Sequence, residues 1–205
     1  MSFDLVIFDC DGVLFDSRRA NEAFYNQIRR RFGLPDMTPS QIDFIHMATT
    51  RESVEHIIPE GPLREQAWEY CRKMDYEPFN SLLVLEPHLP DLLVFLRPER
   101  KTAVCTNRGT SIGPLLSAFG LTPHFDTVVS CLDVSRPKPD PEPVTLILER
   151  LNVPAVKALY VGDATTDAQA AKGAGVAFAA YRNSKLEAAY HLTDLGQVRQ
   201  IILQR

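Results

Sequence analysis

The chain has 205 residues and a net charge of −4, with 45% hydrophobic and 23% charged residues. That is the make-up of a globular domain with room for an insertion, and it gives no basic footprint for nucleic acid. No apolar stretch approaches the ~18 residues that a membrane-spanning helix needs. The four cysteines, at positions 10, 71, 105 and 131, form no Cys-x-x-Cys pair, so neither disulfides nor a structural zinc is expected. Met1-Ser2-Phe3-Asp4 lacks the basic and apolar regions of a secretory signal peptide, and a reducing cytoplasm is the expected setting.

The first element is the apolar run Leu5-Val6-Ile7-Phe8, which reads as a parallel strand buried on both faces. Asp9-Cys10-Asp11-Gly12 follows directly. In open α/β sheets ligands bind just beyond the carboxyl ends of the strands, so two carboxylates there call for a cation or for acid–base chemistry. Gly12 supplies a tight turn that a Cβ would resist. The pattern then becomes helical. Ala20, Phe24, Ile28 and Phe32 recur every four residues, and Leu63, Ala67, Tyr70, Cys71 and Met74 repeat the spacing. Gly33-Leu34-Pro35 and Pro59-Glu60-Gly61-Pro62 break the run between them. Thr49-Thr50-Arg51-Glu52 fits a capping box, yet Arg51 is a cation where the helix dipole favours an anion.

Beyond residue 82 the chain alternates. Leu89, Leu92, Leu93 and Leu96 share a helix face before the strand 102–105. Ile112, Leu115, Leu116 and Phe119 precede the strand 127–129, and Val144, Ile147, Leu148 and Leu151 precede 158–161. An Ala-rich helix leads to the strand 176–179, and Leu195, Val198, Ile201 and Ile202 suit a last helix. This alternation predicts an α/β fold: a Rossmann-like, doubly wound parallel sheet with helices on both faces. Residues 1–16 and 82–205 are expected to form that core. Residues 17–81 form an inserted helical segment, expected over the carboxyl edge of the sheet.

Further polar signals follow the strands or lie in their connections. Thr106-Asn107-Arg108 ends one strand, Lys138 sits in Arg136-Pro137-Lys138-Pro139-Asp140-Pro141, and Gly162-Asp163 ends another with Asp167 four residues on. Asp140-Pro141-Glu142 also reads as a helix start, with Asp140 as the cap. In a parallel sheet Asp9, Thr106 and Asp163 converge on one edge. Asp9, Asp11 and Asp163 offer hard oxygen ligands of the kind magnesium takes alongside a substrate phosphate. One carboxylate can then attack phosphorus while a second serves as acid and base. Attack is assigned to Asp9 at the strand end, and acid–base work to Asp11, freer in the turn. Lys138 and the Thr106 hydroxyl suit the transferring oxygens.

These motifs, from Asp9-x-Asp11-Gly12-Val13-Leu14-Phe15-Asp16-Ser17 through Thr106-Asn107 and Lys138-Pro139-Asp140-Pro141 to Gly162-Asp163-x-x-x-Asp167, resemble the haloacid dehalogenase superfamily. More narrowly, they are similar to its phosphoglycolate phosphatase and β-phosphoglucomutase branch with a helical cap. The resemblance implies a nucleophilic Asp9 and an acid–base Asp11. It implies a magnesium ion on the Asp9 carboxylate, the Asp11 backbone carbonyl and Asp163, with Asp167 supporting the site. Thr106 and Asn107 would hold the phosphoryl group and Lys138 would offset its charge. In the cap, Arg51, and less directly His46, are candidate substrate contacts, although relatives carry a glycine near the loop where this chain has Ala48-Thr49. The implied activity is hydrolysis of a small phosphomonoester through an aspartyl-phosphate. The alternatives are a phosphosugar mutase, a dehalogenase (disfavoured by Asp11) and a non-catalytic binding protein. The expected partner is a small phosphorylated metabolite, not nucleic acid or membrane.

Overall fold

The computed structural model describes residues 3–97 and 99–203. The chain divides into two compact units, one spanning Asp16–Val84 and the other taking the chain up to Phe15 and from Leu85 onward. The passage between them runs through two short strands that pair as a ribbon, β2 (Phe15–Asp16) and β3 (Val84–Leu85).

The larger unit begins with β1 (Leu5–Phe8), whose four residues are all fully buried. After β3 come α5 (Leu89–Leu96), β4 (Lys101–Cys105), α6 (Ile112–Ala118), β5 (Thr127–Val129), α7 (Glu142–Leu151) and β6 (Ala158–Gly162). The chain closes with α8 (Thr165–Gly173), β7 (Ala177–Tyr181), β8 (Tyr190–Leu192) and α9 (Gln197–Leu203). Six strands form one sheet in the order β5-β4-β1-β6-β7-β8, and every pair is parallel. Parallel neighbours need crossover connections, which helices supply up to β7, as the alternating pattern anticipated, while β7 joins β8 without a helix.

From β1 the chain moves outward through β4 to β5, then returns to the other side of β1 as β6. The crevice opens where the strand order reverses, at the carboxyl end of β1. Phe8 pairs with Val104 on one side and Val161 on the other, so the residues after Phe8, Cys105 and Val161 come abreast. Leu5, Ile7, Ala103, Cys105, Ala158 and Tyr160 share one core layer with Val144 and Ile147 of α7 and Ala170 and Ala171 of α8.

The smaller unit is helical: α1 (Arg18–Arg31), α2 (Pro39–Ile45), α3 (Thr50–Ile57) and α4 (Pro62–Lys73), then a 3-10 turn over Glu77–Leu82. Phe24 of α1 packs against Tyr25, Tyr76 and Phe79, with ring centroids 5.1–5.4 Å apart. The capping box at Thr49 is present: its hydroxyl accepts from the Glu52 amide while the Glu52 carboxylate accepts from the Thr49 amide at 2.7 Å. The short elements not anticipated include α2, the ribbon strands β2 and β3, and the edge strand β8. A further difference lies at α7, which begins at Glu142 with Pro143 in its first turn. Asp140 still caps locally, its carboxylate accepting from the Glu142 amide at 2.9 Å.

Candidate active site

Asp9 is the first residue beyond β1, and its amide donates to the Val161 carbonyl, which continues the sheet by one step. The chain then turns within a few residues. Leu14 and Phe15 both donate to the Cys10 carbonyl, and Gly12 donates to Phe15. Gly12 has φ +82, and a Cβ there would lie 2.1 Å from Asp163 Oδ2. The missing side chain therefore serves both the turn and the room that Asp163 occupies. Gly162 plays a similar part toward Asp167, whose Cβ and Cγ lie 2.6–2.7 Å from the place a Cβ would take.

Lys138 comes from the loop before α7, and its ammonium is buried in the middle of the site. Nζ donates to Asp9 Oδ1 at 2.7 Å, Asp167 Oδ1 at 2.6 Å, the Cys105 carbonyl at 3.0 Å and the Tyr160 hydroxyl at 3.2 Å. Asn107 steadies the same loop, its side-chain amide donating to the Lys138 carbonyl at 3.1 Å. Asp167, fully buried in the first turn of α8, also accepts from the Tyr160 hydroxyl and from the Ala164 amide. Asp163 follows β6, with its backbone carbonyl taken by the Asn183 side chain at 2.8 Å.

Asp9, Asp163 and Asp167 each present a carboxylate oxygen within 4.8 Å of the other two. Burial, and then the charge of Asp167, push the Asp9 carboxyl up to about 7 although Lys138 opposes them. Asp163 is held well above the usual carboxylate range by burial and by Asp167 and Asp9. Burial alone would lower the Lys138 ammonium, but Asp167 and Asp9 raise it well above its ordinary value. With all three carboxylates ionised, the one ammonium leaves two negative charges to be matched, the charge of one magnesium ion, and without an ion protons do that work. The donor set fits such an ion: hard oxygens, closely spaced, in the crevice at the strand ends.

Residues 6–181 match the family model for a haloacid dehalogenase-like hydrolase. The chain belongs to that family. A phosphoglycolate phosphatase of Chromobacterium violaceum is 30% identical over 185 residues, covering 84% of this chain and 82% of that protein. A phosphorylated carbohydrates phosphatase of Thermotoga maritima is 29% identical over 178 residues with the same coverage. Among solved structures, a haloacid dehalogenase-superfamily hydrolase of subfamily IA, variant 1, from Geobacter sulfurreducens superposes with a TM-score of 0.81 at 34% identity. That superposition covers 98% of this chain and 96% of the other.

Other site residues of this hydrolase stand as follows. The turn leaves Asp11 less free than its position suggested, because Arg108 grips it: Nε donates to Oδ2 and Nη2 to Oδ1, both at 2.7 Å. Thr106 is buried beyond β4, and its hydroxyl oxygen accepts from the Arg108 amide at 3.0 Å. Cys10 is fully buried and burial raises its thiol well above the ordinary value, so it stays protonated. In the helical unit, Arg51 pairs with Glu55 at 2.5 Å and Glu65 at 3.6 Å, and lies over the Trp68 ring. The dipole argument that singled Arg51 out is answered by these local partners. His46 is the residue that ends α2.

Sequence reasoning placed Arg108 in a polar strand-end run but gave it no role, and it passed over Tyr160. A signal existed for the tyrosine. It sits in the apolar strand Ala158-Leu159-Tyr160-Val161, and a phenol buried there must find a hydrogen-bond partner. For Arg108 the signal was its place after a strand, which does not name its partner, Asp11, 97 residues away in sequence.

Proposed function

We propose that this hydrolase is a magnesium-dependent phosphatase acting on a small phosphomonoester through an aspartyl-phosphate. The observation that carries the reading is the buried group of Asp9, Asp163, Asp167 and Lys138, with its shortfall of two positive charges beside the strand-end Asp9. Asp9 and Asp163 would hold the ion, with the Asp11 carbonyl, and Asp167 would fix Lys138 and close the set. When bound, magnesium supplies the charge that lets a phosphate dianion approach three carboxylates.

The residues divide the remaining work. A carboxylate oxygen of Asp9 attacks phosphorus as the ester oxygen departs, and Asp11 delivers the proton that oxygen needs. Asp11 then takes a proton from water as its oxygen attacks the same phosphorus. The Asp9–phosphorus bond breaks, inorganic phosphate leaves, and both carboxyl groups return to their starting states. Lys138 holds one Asp9 oxygen so that the other faces the substrate, and it offsets charge on the phosphoryl oxygens. Thr106, beyond β4, and Asn107, bonded to the Lys138 carbonyl, would hold that group. The phosphatase relatives direct attention to glycolate and sugar phosphates as the substrate class.

The test is a panel of phosphomonoesters assayed with magnesium and with EDTA, alongside Asp9→Asn. Phosphate release should need the metal and vanish in the variant, because the amide matches the carboxylate in shape but cannot attack phosphorus. Turnover at full rate in EDTA, or in Asp9→Asn, refutes the reading. Isomerisation of a sugar phosphate with no net phosphate release would instead select the mutase.

A further inference from the structure

The assignments above leave Arg108 without a role, although it is a buried guanidinium inside the site. Its side chain is 7% exposed and that of Asp11 14%, so the pair is held largely out of water. Two parallel charge-assisted bonds of 2.7 Å make a planar fork on both Asp11 oxygens, a geometry that fixes rotation as well as distance. The arginine is anchored from behind as well. Its amide donates to the Thr106 hydroxyl at 3.0 Å, and its carbonyl accepts from the Cys131 amide at 3.3 Å.

We infer that Arg108 is a positioning residue of the reaction: its fork sets the angle from which Asp11 meets the leaving oxygen and the attacking water. The inference rests on the phosphatase reading, with Asp11 as its acid and base. A carboxylate has about four acceptor sites and the fork takes one on each oxygen, so the grip does not itself bar proton transfer. Arg108 keeps all its protons throughout. Because the same arginine binds the Thr106 hydroxyl, it ties the acid–base group of one strand end to the phosphate-facing end of the next strand. A lysine in its place would keep the charge but lose the fork.

The experiment is a kinetic cycle on the full chain with magnesium and the best substrate of the panel: Arg108→Gln, Arg108→Lys, Asp11→Asn and the double variant Arg108→Gln/Asp11→Asn. Arg108→Gln should lower kcat by about 10- to 100-fold, the effect of misplacing a reacting group by about 1 Å, and leave KM nearly unchanged. Arg108→Lys should fall between. Adding Arg108→Gln to Asp11→Asn should cost nothing further, because the arginine acts through the aspartate. A KM rise at constant kcat, or an additive loss in the Asp11→Asn background, would make Arg108 a substrate contact and overturn the inference. If Arg108→Gln does not fold, Arg108→Lys takes its place in both comparisons. A wild-type protein that is active while Arg108→Gln matches it sinks this inference alone, whereas a wild type inert toward every phosphomonoester sinks the phosphatase reading with it.

Discussion

Gly12→Ala separates two duties of one residue. The backbone at Gly12 has φ +82, a region in which an L-residue costs about 1–2 kcal/mol. For a chain of this size that corresponds to a fall in Tm of about 2–8 °C. The added methyl also meets Asp163, with Oδ2 at 2.1 Å and Cγ at 2.6 Å, where ordinary contact begins near 3.4 Å. The carboxylate must therefore shift by about 1 Å, a displacement that costs about 100-fold in turnover when it involves a reacting or metal-holding group. Gly120→Ala is the control. Its φ of +68 carries a similar backbone cost, but nothing lies within 4 Å of the new Cβ. Thermal melts, magnesium titration and kcat measured on both variants should show comparable losses of Tm. Weakened magnesium binding and turnover should appear only in Gly12→Ala. Undiminished magnesium affinity and kcat in Gly12→Ala, or an equal loss of turnover in Gly120→Ala, would refute the claim that the absent side chain makes room for Asp163.

Two further outcomes follow from the charges. Lys138→Met strips the ammonium from Asp9 and Asp167 and should destabilise the metal-free fold by about 3–5 kcal/mol, or about 6–20 °C in Tm. A melt unchanged from wild type would mean that these carboxylates do not depend on it. The pH dependence has a definite sign. Burial raises Asp9 to about 7 and lifts Asp163 as well, so between about pH 4 and 7 the folded chain binds protons that the unfolded chain has released. The metal-free protein should therefore lose stability as pH rises through that window. On the proposed reading magnesium would take over the role of those protons, so its stabilisation should be small near the acid end and largest above about pH 7. At a hundredfold excess over its Kd the gain should reach about 2.7 kcal/mol. A magnesium-induced Tm shift independent of pH would count against these carboxylates as its ligands.

The architecture was open to reading because β1, β4, β5 and β6 are short apolar runs each followed by a helix-period pattern, and both signals are local. Thr38-Pro39-Ser40-Gln41 shows that even a short helix carries such a signal. It forms a capping box with Pro39 in the first turn, and α2 lay within reach of the same reasoning that found the box at Thr49. The strand β8, three residues long at the sheet edge, offers too few positions for any period to register.

For the site, the residue types and their places after strands stood in the sequence: Asp9 after β1, Thr106 after β4, Asp163 after β6. A parallel sheet with β1 between β4 and β6 is enough to gather those three. Which acid meets which base was a different matter, because it depends on rotamers and on loops that cross between strands. Asp11 was assigned to the open turn, yet Arg108 holds it. Asp167 was expected to support a metal site, and it accepts from the Ala164 amide and is one of four acceptors around the Lys138 ammonium. Local composition and periodicity suffice for elements that satisfy their own hydrogen bonds. Partnerships between charges more than twenty residues apart, such as Lys138 with Asp9 or Arg108 with Asp11, exist only once folding has brought low-dielectric surroundings around them.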